Sequence, residues 1–255
     1  MCLILFSLQP DRPIPLVVAA NRDEFYARPA DGAHAWTDEP TIFAGRDREA
    51  GGTWLGVSTS GRFAAVTNFS AGDPPRNYPQ SRGELVAGFL RGDASARAYA
   101  DGLRGDDYAG FNLLVFDGQE MVYTNNKGYP TERLEPGHYG LSNAELRAGW
   151  PKADEGAQAL AAADPATASN RALLDILGDD VPPPDERIPS RPHLAQAPLE
   201  DRRLHAARFI ATGEYGTRAM TIVRMGPETI DVLEQQIGPH GVRGDAVMAR
   251  VPRSH

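Results

Sequence analysis

The chain has 255 residues, with 26 Lys+Arg against 34 Asp+Glu, a formal net charge of −8 and 41% hydrophobic residues. That is material for a real core in one or two domains; the acidic balance argues against a nucleic-acid partner, which wants a basic face, and against a polybasic membrane-surface protein. No run reaches the roughly 20 apolar residues of a membrane span, and the apolar start at 2–6 is short, lacks a basic n-region and meets Asp11 and Arg12, so the expectation is a cytoplasmic protein with no transmembrane segment and no secretory signal.

Residues 3–8 and 16–20 are apolar runs of strand length about a turn at 9–13, which predicts a hairpin. The polar quartet Asn21-Arg22-Asp23-Glu24 follows at once. Residues 54–58 and 63–69 read as a second strand pair. Ser81 and Glu84 fit a capping box for a helix to Leu90, with Leu85, Val86, Phe89 and Leu90 on one face. A second helix is expected over 94–103. Residues 111–116 and 120–124 flank Asp117-Gly118, the pair that a type I′ hairpin turn favours. Helices are expected over 153–163 and 170–177, and the proline-rich run 182–198 reads as a loop or linker. A short helix over 199–204 precedes a closing meander of 207–211, 220–225 and 230–235. One domain is expected over 1–238, with 239–255 a loose C-terminal tail because it lacks periodicity. Strands first, helices between and strands last indicate α+β with antiparallel sheets. Strands that are apolar on both faces indicate sheets stacked in layers.

Cys2 is the one cysteine, which excludes an intrachain disulfide and a Cys-based metal cluster. A thiolate is a strong nucleophile, and the free thiol has a pKa of about 8.5. Removing Met1 would make Cys2 the N-terminal residue, and its α-amine, with a pKa of about 7.7–8.0, could then act as the base. Without partners, Cys2 is equally a small buried hydrophobe at a strand start. Alternation puts Asn21 and Asp23 on one face of their strand and Arg22 and Glu24 on the other. The hairpin brings the quartet back to Cys2. Gly52 and Trp54, in Gly51-Gly52-Thr53-Trp54, mark either a backbone that approaches a ligand or a tight turn. Asn68 and Asn143 close strand-like segments, where an amide can donate to an oxyanion or serve a turn. Arg218 enters a strand, as a carboxylate ligand or a surface residue. The histidines show no ligand spacing, and the Gly-x-Gly-x-x-Gly and Walker A patterns are missing, so neither a metal nor a nucleotide site is expected.

Together these residues resemble the NRDE family, named for the quartet and including the transport and Golgi organisation proteins. The resemblance rests on Met1-Cys2, Asn21-Arg22-Asp23-Glu24, Gly51-Gly52-Thr53-Trp54, Thr67-Asn68 and Arg82-Gly83-Glu84. It continues through Gly110-Phe111-Asn112, Gly140-Leu141-Ser142-Asn143 and Tyr215-Gly216-Thr217-Arg218, in order from residue 1 to about 238. That family is in turn similar to the cysteine N-terminal-nucleophile (Ntn) hydrolases, such as the bile-salt and penicillin-V amidases. The resemblance implies a four-layer αββα sandwich of mostly antiparallel sheets, with the nucleophile starting an inner strand. It implies Cys2 as nucleophile, Asp23 near its amine, Asn68 and Asn143 as oxyanion or substrate groups and Arg218 as a late arginine. Asn21, Arg22, Glu24, Gly52 and Trp54 would face the substrate. Those amidases carry Arg-x-x-Asp after the second strand; here either Asp23 or Glu24 holds the acid's place. The function implied is hydrolysis of a small-molecule amide or ester with no required cofactor. The alternative is a non-catalytic protein that binds or traffics haem, acyl-CoA or lipid on the same fold.

Overall fold

The computed structural model describes residues 2–70, 76–189 and 196–254. Strand β1 (Leu3–Leu8) returns antiparallel into β2 (Leu16–Phe25), with Leu3 opposite Asn21 and Leu8 opposite Leu16. The polar quartet lies inside β2 rather than beyond it. A ladder that continues through polar residues requires partners for them, and the site below supplies them. Two strands without an alternating pattern follow, β3 (Ala30–Ala35) and β4 (Ile42–Asp47). β4 pairs with β5 (Leu55–Ser58), which turns into β6 (Phe63–Asn68).

Helix α1 (Arg82–Arg91) is capped by Ser81, whose hydroxyl accepts from the Gly83 N–H at 3.2 Å. Glu84 does not complete a capping box: its carboxylate takes Arg91 at 2.8 Å, two turns on. Helix α2 (Ala96–Asp101) leads to β7 (Phe111–Phe116) and β8 (Met121–Asn125). The turn between them is not type I′. Gly118 alone has positive φ, at 94°, and Asp117 Oδ1 accepts from the N–H groups of Gln119 and Glu120, each at 2.9 Å. The aspartate side chain closes this turn in place of a second left-handed residue. Short β9 (Glu132–Arg133) and β10 (Gly137–Leu141) precede helices α3 (Pro151–Ala162), α4 (Asn170–Leu177) and α5 (Leu199–Ala206). Positions 190–195 of the proline-rich run lie outside the described residues.

The closing meander is β11 (Tyr215–Met225), β12 (Thr229–Ile237) and β13 (Arg243–Pro252). Two expectations are corrected here. Residues 207–211 are not a strand; Ala211 makes one isolated bridge to Gly216. Residues 243–252 of the expected tail are the meander's third strand, paired with β12 from Pro252 opposite Thr229 to Arg243 opposite Ile237. Of β13 only Val251 is buried; Val247 and Ala249 on the same face are half-buried and the apolar Met248 lies on the exposed face, which obscures the alternation in the sequence.

Every strand pairing is antiparallel, in two sheets of order β10-β1-β2-β11-β12-β13 and β3-β4-β5-β6-β7-β8-β9. Alternation along the strands builds three apolar layers. Ile4, Phe6, Val18, Phe63 and Leu114 meet between the sheets. Leu3, Leu5, Val17 and Ala19 face α3 and α4. Val66, Leu113 and Val115 face α1 and α2. The result is an αββα sandwich whose strand β1 lies inside its sheet with both faces covered.

Candidate functional site

Cys2 stands at the entrance to β1, partly buried. β10 pairs with β1 so that Leu141 faces Ile4, and the chain beyond β10 runs beside Cys2. Ser142 Oγ donates to the Cys2 carbonyl at 2.8 Å. Thr67 Oγ1, from the other sheet, donates to the Ser142 carbonyl. Asn112, fully buried on β7, holds the same stretch: its Nδ2 donates to Thr67 Oγ1, Ser142 O and Ala144 O at 3.0–3.3 Å, and its Oδ1 accepts from Tyr123 Oη at 2.7 Å. A chain of buried hydrogen bonds across both sheets thus fixes the backbone of Cys2. Buried networks of this kind are rigid only when every member is satisfied.

Asn21 and Asp23 project from β2 toward the α3–α4 layer. Asn21 Nδ2 donates to the carbonyls of Leu177 and Arg208 at 2.9 and 2.8 Å, so Asn21 ties α4 to the chain after α5 and does not reach the cavity expected for it. Asp23 accepts from Thr217 Oγ1 at 2.8 Å. Lys152, 2% exposed at the start of α3, shares this pocket of charge; its Nζ donates to the His205 carbonyl at 3.0 Å and lies 4.8 Å from the Trp150 ring centroid. Burial pushes the Asp23 carboxyl up, against the pull of Lys152 and Thr217. Burial also pushes the Cys2 thiol up and the Lys152 ammonium down. Desolvation is the common cause, since each group is more costly to charge away from water.

On the other face, Cys2, Arg22, Arg82, Trp54, Asn68 and Arg218 line one cavity of about 160 Å³, with Asp23 and Glu24 at its wall. Arg218 gets there through a β-bulge: the β2–β11 register shifts between Thr217 and Ala219, so Arg218 and Ala219 both line the cavity while Thr217 turns to Asp23. Asn143 is buried beneath this wall and not in it; its Nδ2 donates to the Asn68 carbonyl at 2.8 Å. Gly52 is likewise absent from the wall. A Cβ there would lie 2.5 Å from the carbonyl carbon of Gly83, so the glycine admits the first turn of α1 and with it Arg82. At the far wall Glu234 Oε1 accepts from the Ala33 N–H at 2.7 Å and from Gln236 Nε2 at 2.6 Å, and Oε2 accepts from Thr221 Oγ1 at 3.2 Å.

Sequence reasoning named Cys2, Asp23, Asn68, Arg22, Glu24, Trp54 and Arg218 for one site, and the structure brings these to one cavity. It missed Arg82, Asn112, Lys152, Thr217 and Glu234. Lys152 carried a signal: it is one of only two lysines, with Lys127, in an arginine-rich chain. Among the described residues no group of three or more His, Cys, Asp or Glu is arranged to hold a metal ion, and no helix is long and apolar enough to cross a membrane.

The sequence profile of the family described as Transport and Golgi organisation 2 matches residues 1–238. The chain belongs to that family. It is 37% identical over 248 residues to the mouse Transport and Golgi organization 2 homolog, covering 88% of each chain, and 37% identical over 251 residues to the human homolog, again with 88% of each covered. The fold is similar to that of the Caenorhabditis elegans ortholog of N-acylethanolamine-hydrolyzing acid amidase. The TM-score is 0.50 at 8% sequence identity, covering 87% of this chain and 92% of that one. At that identity the likeness shows the fold alone, the Ntn-hydrolase sandwich. The Transport and Golgi organisation 2 profile stops short of β13, the strand that completes the first sheet.

Proposed function

We propose that the chain is a cysteine-nucleophile amidohydrolase that cleaves a small-molecule amide or ester through an acyl-enzyme on Cys2, after removal of Met1 frees the Cys2 amine. The observation that carries this reading is the division of labour about Cys2. Cys2 lines a cavity with Arg22, Arg82, Asn68 and Arg218, while Asp23, held by Thr217, presents its backbone N–H to the Cys2 sulfur. A buried thiol with a raised pKa is protonated at neutral pH and needs a base. The freed α-amine is the group nearest in the chain, and Asp23 favours its protonated form.

In the reaction the amine takes the thiol proton, sulfur bonds to the substrate carbonyl carbon, and the carbonyl π electrons move to oxygen. The ammonium then passes its proton to the leaving amine or alcohol as the C–N or C–O bond breaks, leaving a thioester. Water, its proton taken by the amine, attacks the thioester; the acid leaves and the thiol is restored. Asn68 faces the cavity as an oxyanion donor, and Asn143 holds the Asn68 carbonyl and so its position. One such donor is worth about 3 kcal/mol of barrier. A cavity of about 160 Å³ suits a short or single-ring acyl group, since engineered cavities of about 150 Å³ take benzene.

The test incubates wild type and Cys2→Ala with a panel of N-acyl amides and an acyl-trapping electrophile, and reads intact mass. Wild type lacks Met1, turns over an amide and gains label; Cys2→Ala does neither of the last two. Retained Met1, or equal labelling of the two proteins, overturns the reading. No turnover alongside tight haem or acyl-CoA binding favours the trafficking reading instead.

A further inference from the structure

Five arginines line the Cys2 cavity, and they are not equivalent. Arg28 meets Asp47 at 2.7 Å and Glu49 at 2.9 Å, and Arg46 meets Asp38 at 2.5 Å. Arg22 shares Asp47 at 3.9 Å. Arg82 and Arg218 differ. Arg82 Nη1 donates to the Gly110 carbonyl at 3.1 Å, and Arg218 Nη1 donates to the carbonyls of Phe25 and Arg28. Neither forms an ion pair with a carboxylate among the described residues. Each guanidinium carries five donors in a planar fork and keeps its charge when buried. A cation that is partly withdrawn from water without a counter-charge is costly, and desolvation pulls both half-buried arginines down. Glu24 offsets both from a distance. The other carboxyls of the cavity are engaged elsewhere, Asp47 with Arg28 and Arg22, Asp31 with Arg48, Asp23 with Thr217, and Glu234 with Ala33, Thr221 and Gln236, which leaves Arg82 and Arg218 as the cavity's arginines without an ion pair among the described residues.

We propose that this cavity selects ligands bearing an anionic group, a carboxylate or a phosphate, which Arg82 and Arg218 hold beside Cys2. That such a ligand is also cleaved rests on the amidohydrolase reading; the binding itself does not require turnover. Arg218 is placed by the β11 bulge and Arg82 by the Gly52–Gly83 contact, so both forks are fixed by backbone before any ligand arrives. A planar oxyanion bridged by a fixed fork gains geometric specificity as well as charge. An acyl group with a free acid at its far end would place its scissile carbonyl at the sulfur and its anion at the arginines.

The test measures protection of Cys2 from alkylation by iodoacetamide, read by intact mass, in the presence of glutarate, inorganic phosphate or the neutral glutaramide. In wild type an anion protects at about tenfold lower concentration than glutaramide, the scale of a charge-assisted hydrogen bond. The advantage is lost in Arg82→Gln and Arg218→Gln. Glutarate ahead of phosphate identifies the carboxylate, and the reverse order the phosphate. The neutral probe and the melting temperature of each variant separate lost charge from lost fold. Glutaramide protecting wild type as well as both anions do, or an anion advantage that survives in both folded variants, overturns the proposal. Alkylation needs no hydrolysis, so a protein that protects by charge yet turns over no amide would defeat the amidohydrolase reading and leave this one standing.

Discussion

Glu234 sits where the two sheets meet, 4% exposed, with three donors from Ala33, Thr221 and Gln236 around its carboxyl. Burial outweighs those donors and holds its pKa above the ordinary carboxylate value. The folded state therefore binds this proton more tightly than the unfolded chain, whose Glu titrates at about 4.3. The stability from that difference is fully present below the unfolded value and is lost as pH rises through the folded one. Glu234→Gln cannot titrate. Urea unfolding of both proteins across a pH series should show the stability of wild type, relative to Glu234→Gln, falling as pH rises from about 4. A difference that stays flat with pH would mean that the carboxyl has the same pKa folded and unfolded. The same desolvation acts at Cys2 and Asp23, so those two cavity residues share their electrostatic cause with Glu234 at the far wall.

At the scale of elements, Gly52 decides how closely α1 approaches β5. Its neighbour Thr53 donates from the backbone to the Gly83 carbonyl at 3.3 Å, and an added Cβ would meet backbone, which cannot rotate away. Gly52→Ala should therefore lower stability by about 1–3 kcal/mol, the usual cost of overpacking, and slow alkylation of Cys2 as Arg82 moves with α1. A urea midpoint equal to wild type would show that α1 can shift freely. Sequence reasoning saw this glycine and assigned it to a ligand, because a backbone approach reads the same whether a ligand or a helix arrives. The hairpin of β1 and β2, the pair β5–β6 and helix α4 were legible because each carries its own apolar period. β3, β4 and β13 were not. They are held by neighbouring strands, and few of their residues are fully buried, so no continuous apolar face marks them in the sequence. Arg218 was legible as a residue and not as a geometry, since a bulge leaves no mark in residue spacing. Asn112 was legible as a motif only; its four hydrogen bonds join segments 45 and 30 residues away from it to Tyr123.

For the molecule as a whole, the order of the first sheet places Cys2 and β13 far apart, with β2, β11 and β12 between β1 and that edge. The two residues just past β13 add one contact to each sheet. Ser254 N–H donates to the Thr59 carbonyl in the β5–β6 turn at 2.7 Å, and Arg253 Nη1 to the Gly226 carbonyl at 3.1 Å. Val251 reaches the apolar layer between the sheets, a burial worth about 2 kcal/mol. A chain ending at residue 242 loses all of this and bares β12, whose nine residues then present an unpaired edge. Unpaired edges recruit other strands. The truncated chain should fold, keep a Cys2 that iodoacetamide alkylates, unfold at lower urea than the full chain, and associate more strongly with rising concentration. Light scattering across a dilution series and urea unfolding measure the last two outcomes. If the truncated chain matches the full one in both, then β13 lies on the sheet without supporting it, and the stability of the Cys2 site belongs to the strands from β10 to β12 alone.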